Sequence, residues 1–185
     1  HRTVLSDFAV NIKALPENDL AQRMIESVRA VGDMDLTPMA AVAGTIAAAV
    51  AEWLFSRGPT RVVVDNGGDI AIRLAAGETV TVGIRPQINC LDISHIAQLD
   101  DCRSSWGVTT SGRGGRSFTR GIASAVTVIA ENASIADAAA TSIANACFVR
   151  DKNIHQAPAE QIDPNNDLAG KMVTVSIGKL ALAIR

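Results

Sequence analysis

The chain has 185 residues, with 17 Lys+Arg against 19 Asp+Glu, a formal net charge of −2, and 48% hydrophobic and 19% charged residues. Those proportions exclude a disordered chain and fit one domain, residues 1–185, with a sizeable buried core. The near-neutral balance argues against a binder of nucleic acid or anionic membrane, and 3% aromatics with no tyrosine leaves little for bases to stack on.

Residues 2–13 alternate loosely, with Val4, Phe8, Val10 and Ile12 on one parity, and predict a strand. From Glu17 to Val31, Leu20, Met24, Val28 and Val31 recur at helical spacing. Thr37-Pro38 offers an N-cap with proline at the first helical position, and the helix it opens runs to about Phe55, before Gly58-Pro59. No charged residue occurs from Pro38 to Ala51. That run is shorter than the roughly 20 apolar residues of a membrane span. Being apolar all round, it reads as a helix buried in a soluble core.

Strands are predicted at Arg61–Val64, Ile70–Leu74 and Thr79–Ile84, and residues 85–106 give no clear pattern. Ser124–Ala130 reads as a β-branched strand and Ala133–Val149 as an alanine-rich helix. Residues 151–170 are polar and read as a loop, and Val173–Ile177 and Leu180–Ile184 as a closing hairpin over Gly178-Lys179. Cys90, Cys102 and Cys147 have no metal-ligand spacing and are odd in number, which points to a reduced, cytoplasmic compartment. No secretory signal opens the chain, and His1 in place of Met leaves a trimmed start open.

Three segments carry candidate chemistry. Asp65-Asn66-Gly67-Gly68-Asp69 joins two predicted strands; it is either an ordinary hairpin turn or a place where a ligand meets bare backbone donors. The run from Thr109 to Ser117 holds Thr110, Ser111, Gly112, Arg113 and Arg116 among three glycines. Its guanidinium groups and free amides suit phosphate oxygens, and a flexible solvated loop reads equally well. In the third segment, Asp137, Thr141 and Asn145 recur at i, i+4 and i+8 on an otherwise small and apolar helix. That spacing stacks them on one face, where oxygen donors in a dry surround suit a hard cation such as Mg²⁺. The bland alternative is the solvated side of an amphipathic helix. His95 and His155 read as surface residues.

These signals occur in one order: Pro38-Met39-Ala40-Ala41-Val42-Ala43-Gly44, Asn66-Gly67-Gly68-Asp69, Thr110-Ser111-Gly112, Ala125 to Ala130, then Ala136-Asp137-Ala138-Ala139-Ala140-Thr141. In that order they resemble the ApbE superfamily of FAD:protein FMN transferases, most closely its small prokaryotic branch. The resemblance implies an α+β fold of two T-fold-like halves packed into one unit. It implies that Asp137 and Thr141 bind the metal, and that Asn66, Gly67, Gly68, Asp69, Thr110, Ser111, Gly112 and Arg113 line a flavin-nucleotide pocket. Backbone around Ala40–Gly44 would lie against metal and phosphates. It also implies the family's reaction, in which FAD is cleaved with Mg²⁺ and FMN passes to a Thr or Ser of an acceptor flavoprotein. Asp137 and Arg116 are then the catalytic candidates, one holding the metal and the other offsetting negative charge. Homo-oligomerisation is left open. The family's His-Ile-Asp-Pro-like segment has no counterpart, since Arg113 to Ser124 contains no histidine. The alternative expectation is therefore a flavin- or nucleotide-binding or assembly module without transferase activity.

Overall fold

In the computed structural model, residues 5–7, 12–86, 90–115, 117–168 and 170–180 are described. The predicted strand over 2–13, the second half of the closing hairpin and Arg116 fall wholly or largely outside them. Helix α1 (Asp19–Val31) begins where the Asn18 side chain accepts the Ala21 amide at 3.0 Å and ends at Gly32, whose φ of 77° suits glycine. Its buried side carries Met24, Ile25 and Val28, and Met24 and Val28 pack with Leu36, Ala41 and Ala138.

The next helix differs from expectation in two ways. Pro38–Ala41 is a 3₁₀ turn, and the α-helix, α2, is Val42–Phe55. Thr37 holds the predicted N-cap position, with Pro38 opening the turn, but its hydroxyl makes no cap hydrogen bond and donates to Asp167 Oδ2 at 2.5 Å. Nor is α2 buried all round. Ala47 and Ala51 are fully buried against Val62, Ala71 and Ala133, while Ile46, Val50 and Trp53 lie about half exposed on the other side. The Arg57 guanidinium stacks on Trp53 at 3.4 Å. By length and composition Pro38–Phe55 could cross a membrane; here one side of it packs on a sheet.

That sheet has four antiparallel strands in the order β1 (Arg61–Asp65), β2 (Asp69–Leu74), β5 (Ser105–Ser111), β6 (Val126–Ala130). Strands β1 and β2 form a hairpin over Asn66-Gly67-Gly68, with positive φ at both glycines. A separate two-stranded sheet pairs β3 (Val80–Ile84) with β4 (His95–Leu99). Alternation sorts the large sheet into two faces. Ile72 and Val108 pack with Leu74 and Leu99, and Val80 and Val82 join that core, so β3–β4 covers one face. Val62, Val64 and Ala71 meet α2 on the other.

Helix α3 (Ala133–Ala146) follows β6, its first turn capped by the Asn132 side chain accepting from the Ile135 amide at 2.9 Å. Its alanines let it lie close to its neighbours: a Cβ on Gly44 of α2 would fall 2.2 Å from the Ala133 carbonyl oxygen. The predicted loop at 151–170 holds β7 (Ile154–Pro158) and the short helix α4 (Ala159–Ile162). Strand β8 (Met172–Ile177) pairs with β7. The fold class is α+β with antiparallel sheets, as expected.

Candidate functional site

The stripe on α3 runs from a buried Asp137 to half-buried Thr141 and Asn145. Asp137 is 9% exposed, and Asp137, Thr141 and Asn145 line one cavity of about 280 Å³. Small residues surround the stripe because the helix packs on α1 through Ala138 and lies close to α2 near Ala133, so its polar side faces inward. The opposite wall is Leu36, Thr37, Met39 and Ala40 from the entry to α2, and Asp163, Asn166, Asp167 and Leu168 from the segment after α4. The Thr37–Asp167 hydrogen bond closes that wall across 130 positions of chain. Asp163 and Asp167 were not found from the sequence: their segment lacks periodicity, and only the long-range contact to Thr37 brings it here.

The Asp137 carboxylate receives the Gly44 amide at Oδ2, 2.8 Å away, with a second hydrogen bond from the Ala43 amide. Even so, its pKa is pushed up to about 7, first by burial and then by the nearby Asp69 carboxylate, with the two amides working in the opposite direction. A carboxylate so placed is stabilised by a cation. Its polar neighbours in the cavity are hydroxyl, carboxylate and amide groups, with no thiol or imidazole among the lining residues, a set that fits a hard cation such as Mg²⁺. Among the described residues no three His, Cys, Asp or Glu side chains form a metal-binding group, so hydroxyl, carbonyl or ligand oxygens would complete the shell.

Asn145 lines the same cavity, but its Oδ1 is engaged by the Arg120 amide at 2.8 Å and the Thr119 hydroxyl at 3.4 Å. It anchors the 119–121 turn. Arg120 in turn faces Asp35, whose carboxyl Lys171 and Arg120 hold below its ordinary range.

A second cavity, about 320 Å³, lies on the other face of the sheet. Gly67, Gly68, Thr110 and Ser111 line it. Its apolar walls are Ile70, Val82, Ile84 and Val108. Arg85 and Thr127, which no local motif marked, also line it, and the Thr127 and Thr110 hydroxyls sit 2.8 Å apart. The two cavities adjoin where the Thr141 hydroxyl on α3 reaches Ser111 Oγ at 3.5 Å.

The remaining predicted residues among those described are not in the lining of that pocket. Asn66 donates its side-chain amide to the Ala43 carbonyl at 3.2 Å, tying the hairpin loop to α2. Asp69 pairs in register with Thr109, so its side chain shares the face turned to the helices, opposite to Ile70. Arg113 is exposed on a turn whose amide donates to Ala123, and Gly112, with φ of 134°, starts that turn.

Similarity to other proteins extends over nearly the whole chain. The family described as AbpE bacteria matches residues 2–184. Among relatives, a UPF0280 protein of Archaeoglobus fulgidus is 39% identical over 127 residues, covering 69% of this chain and 50% of that protein. A UPF0280 protein of Methanosarcina acetivorans is 40% identical over 134 residues, covering 70% of this chain and 50% of that protein. One of Methanopyrus kandleri is 37% identical over 158 residues, 78% of this chain and 61% of that protein. The chain thus spans about half the length of the first two relatives and somewhat more of the third.

Proposed function

This chain belongs to the family described as AbpE bacteria, and from that premise we propose that it is a Mg²⁺-dependent flavin-nucleotide-binding protein of ApbE type. In this reading its two halves are T-fold-like, it works in the cytoplasm, and it cleaves FAD to pass FMN to a Thr or Ser of an acceptor flavoprotein. One observation carries the proposal: a buried carboxylate and a hydroxyl one helical turn apart, Asp137 and Thr141, line an oxygen-rich cavity that adjoins a more apolar one through Ser111.

The residues divide the work accordingly. Asp137 and Thr141 hold the cation, with the Gly44 amide fixing the carboxylate. Bound Mg²⁺ supplies Lewis-acid polarisation of a pyrophosphate. The Ile70, Val82, Ile84 and Val108 walls receive a flat ring system, and Arg85 with the Thr110 and Thr127 hydroxyls meets polar groups. Arg116 is assigned the offsetting of negative charge. Cys90, Cys102 and Cys147 are all free thiols, which supports a reducing compartment.

The test is to titrate the protein with FAD in the presence and absence of Mg²⁺, following flavin fluorescence and AMP in the same sample. Mg²⁺-dependent binding that Asp137→Ala abolishes, with the fold retained, is the expected result. Mg²⁺-dependent affinity unchanged in that variant would refute the metal assignment. A second reading, a flavin-binding or assembly module without transferase activity, is favoured by the histidine-free interval from Arg113 to Ser124. Tight FAD binding without AMP release, in the presence of acceptor, selects it.

A further inference from the structure

Thr109, on central strand β5, is fully buried, and its Oγ1 has no hydrogen-bond partner among the described residues. A buried hydroxyl left unpaired is costly, so such a group points to a partner that is not a protein atom. Its direction follows from what its neighbours touch. Two residues before it, a Cβ on Gly107 would meet Ala133 at the start of α3. Two residues after it, Ser111 meets Thr141 on the same helix. Strand residues two apart share a face, so Thr109 faces α3 midway between those contacts. The residue midway between Ala133 and Thr141 is Asp137. Asp69 is paired with Thr109 on the neighbouring strand, shares its face, and lies close enough to Asp137 for the two charges to interact.

Resting on the cation reading of Asp137 and Thr141 above, we propose that Thr109 Oγ1 and the Asp69 carboxylate form the sheet-side half of that cation site. The site then has four side-chain oxygen donors, two from the helix and two from the sheet. It would close like a clamp on a small, hard divalent ion, with remaining positions left to a bound phosphate or water. The two carboxylates, which repel each other without an ion, become its charge-matched ligands.

The probe is Mn²⁺ alone, added to the full chain and followed by electron paramagnetic resonance. Thr109→Val keeps shape and removes only the hydroxyl. It is expected to lower Mn²⁺ affinity roughly tenfold or more, with the urea midpoint preserved, while Thr109→Ser stays within a few-fold of wild type. Asp69→Asn is expected to weaken Mn²⁺ to a similar degree. In the wild type, Mn²⁺ should broaden the Thr109 methyl signal strongly and that of Thr127, on the other face of the sheet, much less. Unchanged Mn²⁺ affinity in Thr109→Val overturns the proposal, and so does a collapsed urea midpoint, which would make the hydroxyl a structural partner. Asp137→Asn separates the two layers: if it loses Mn²⁺ while Thr109→Val does not, only the sheet-side half fails. If it too binds normally, the underlying cation reading fails.

Discussion

Gly44 donates its amide proton to Asp137 Oδ2 at 2.8 Å across 93 positions of chain, and the same glycine is why the two helices can come that close. An added Cβ would stand 2.2 Å from the Ala133 oxygen and 2.8 Å from Asp137 Cβ. The close approach and the hydrogen bond are therefore one feature: the small residue sets the helix spacing, and the spacing delivers the amide to the carboxylate.

Gly44→Ala is expected to push α2 and α3 apart, costing on the order of 2–3 kcal/mol from overpacking in a close-packed interior. Urea unfolding should show a lower midpoint with unchanged slope, and Mn²⁺ affinity should fall with it. A midpoint equal to wild type would mean the helices give way freely.

Asp137 predicts a pH dependence of stability in the ligand-free protein. Its pKa is raised from the ordinary 3.8 to about 7, so the folded chain keeps a proton that the unfolded chain releases. The contribution is fully present below about pH 4 and lost as pH rises through 7, a swing of about 4 kcal/mol at roughly 1.4 kcal/mol per pKa unit. Asp137→Asn should be flatter than wild type between pH 5 and 8 when unfolding is measured without divalent metal. Saturating Mg²⁺ should restore wild-type stability at pH 8. Parallel pH curves for the two proteins would contradict the burial and charge argument.

Thr37→Val removes the 2.5 Å bond to Asp167 that fastens the 163–168 segment over the first cavity. A hydrogen bond to a charged group contributes about 1.5–3 kcal/mol. The variant should show faster amide exchange confined to that segment and a smaller loss of global stability. Exchange unchanged in the segment would mean that other contacts hold it.

Val82→Trp fills the second cavity without touching α3. Flavin affinity should drop more than tenfold while Mn²⁺ affinity stays within about twofold, since the metal-side residues lie across the sheet. Equal losses of both would show that the two cavities do not act separately.

The α3 stripe was legible because helical spacing is local: residues i, i+4 and i+8 share a face whatever surrounds them. The Gly67-Gly68 turn was legible for the same kind of reason, from local turn chemistry. Asp69 was assigned with those glycines because it follows them in sequence. Strand alternation turns it the other way, and that depends on register with Thr109, which spacing alone does not supply. Asp167 was hidden more deeply, as its partner Thr37 is 130 positions away. Thr37 does sit at the N-cap its place before Pro38 predicts, but its hydroxyl bonds the distant carboxylate instead of the helix backbone, which local sequence does not reveal.

The groups around Asp137 come from positions 43–44 and 69 as well as from its own helix. No short stretch of this chain can form the pocket in isolation, because each wall belongs to a different long loop closure. Such non-local pairings slow folding, and their entropy must be spent before any of them is rewarded. Capture of the proposed cation would therefore be a late marker of self-assembly: in a refolding time course it should trail secondary-structure formation and coincide with helix–sheet docking.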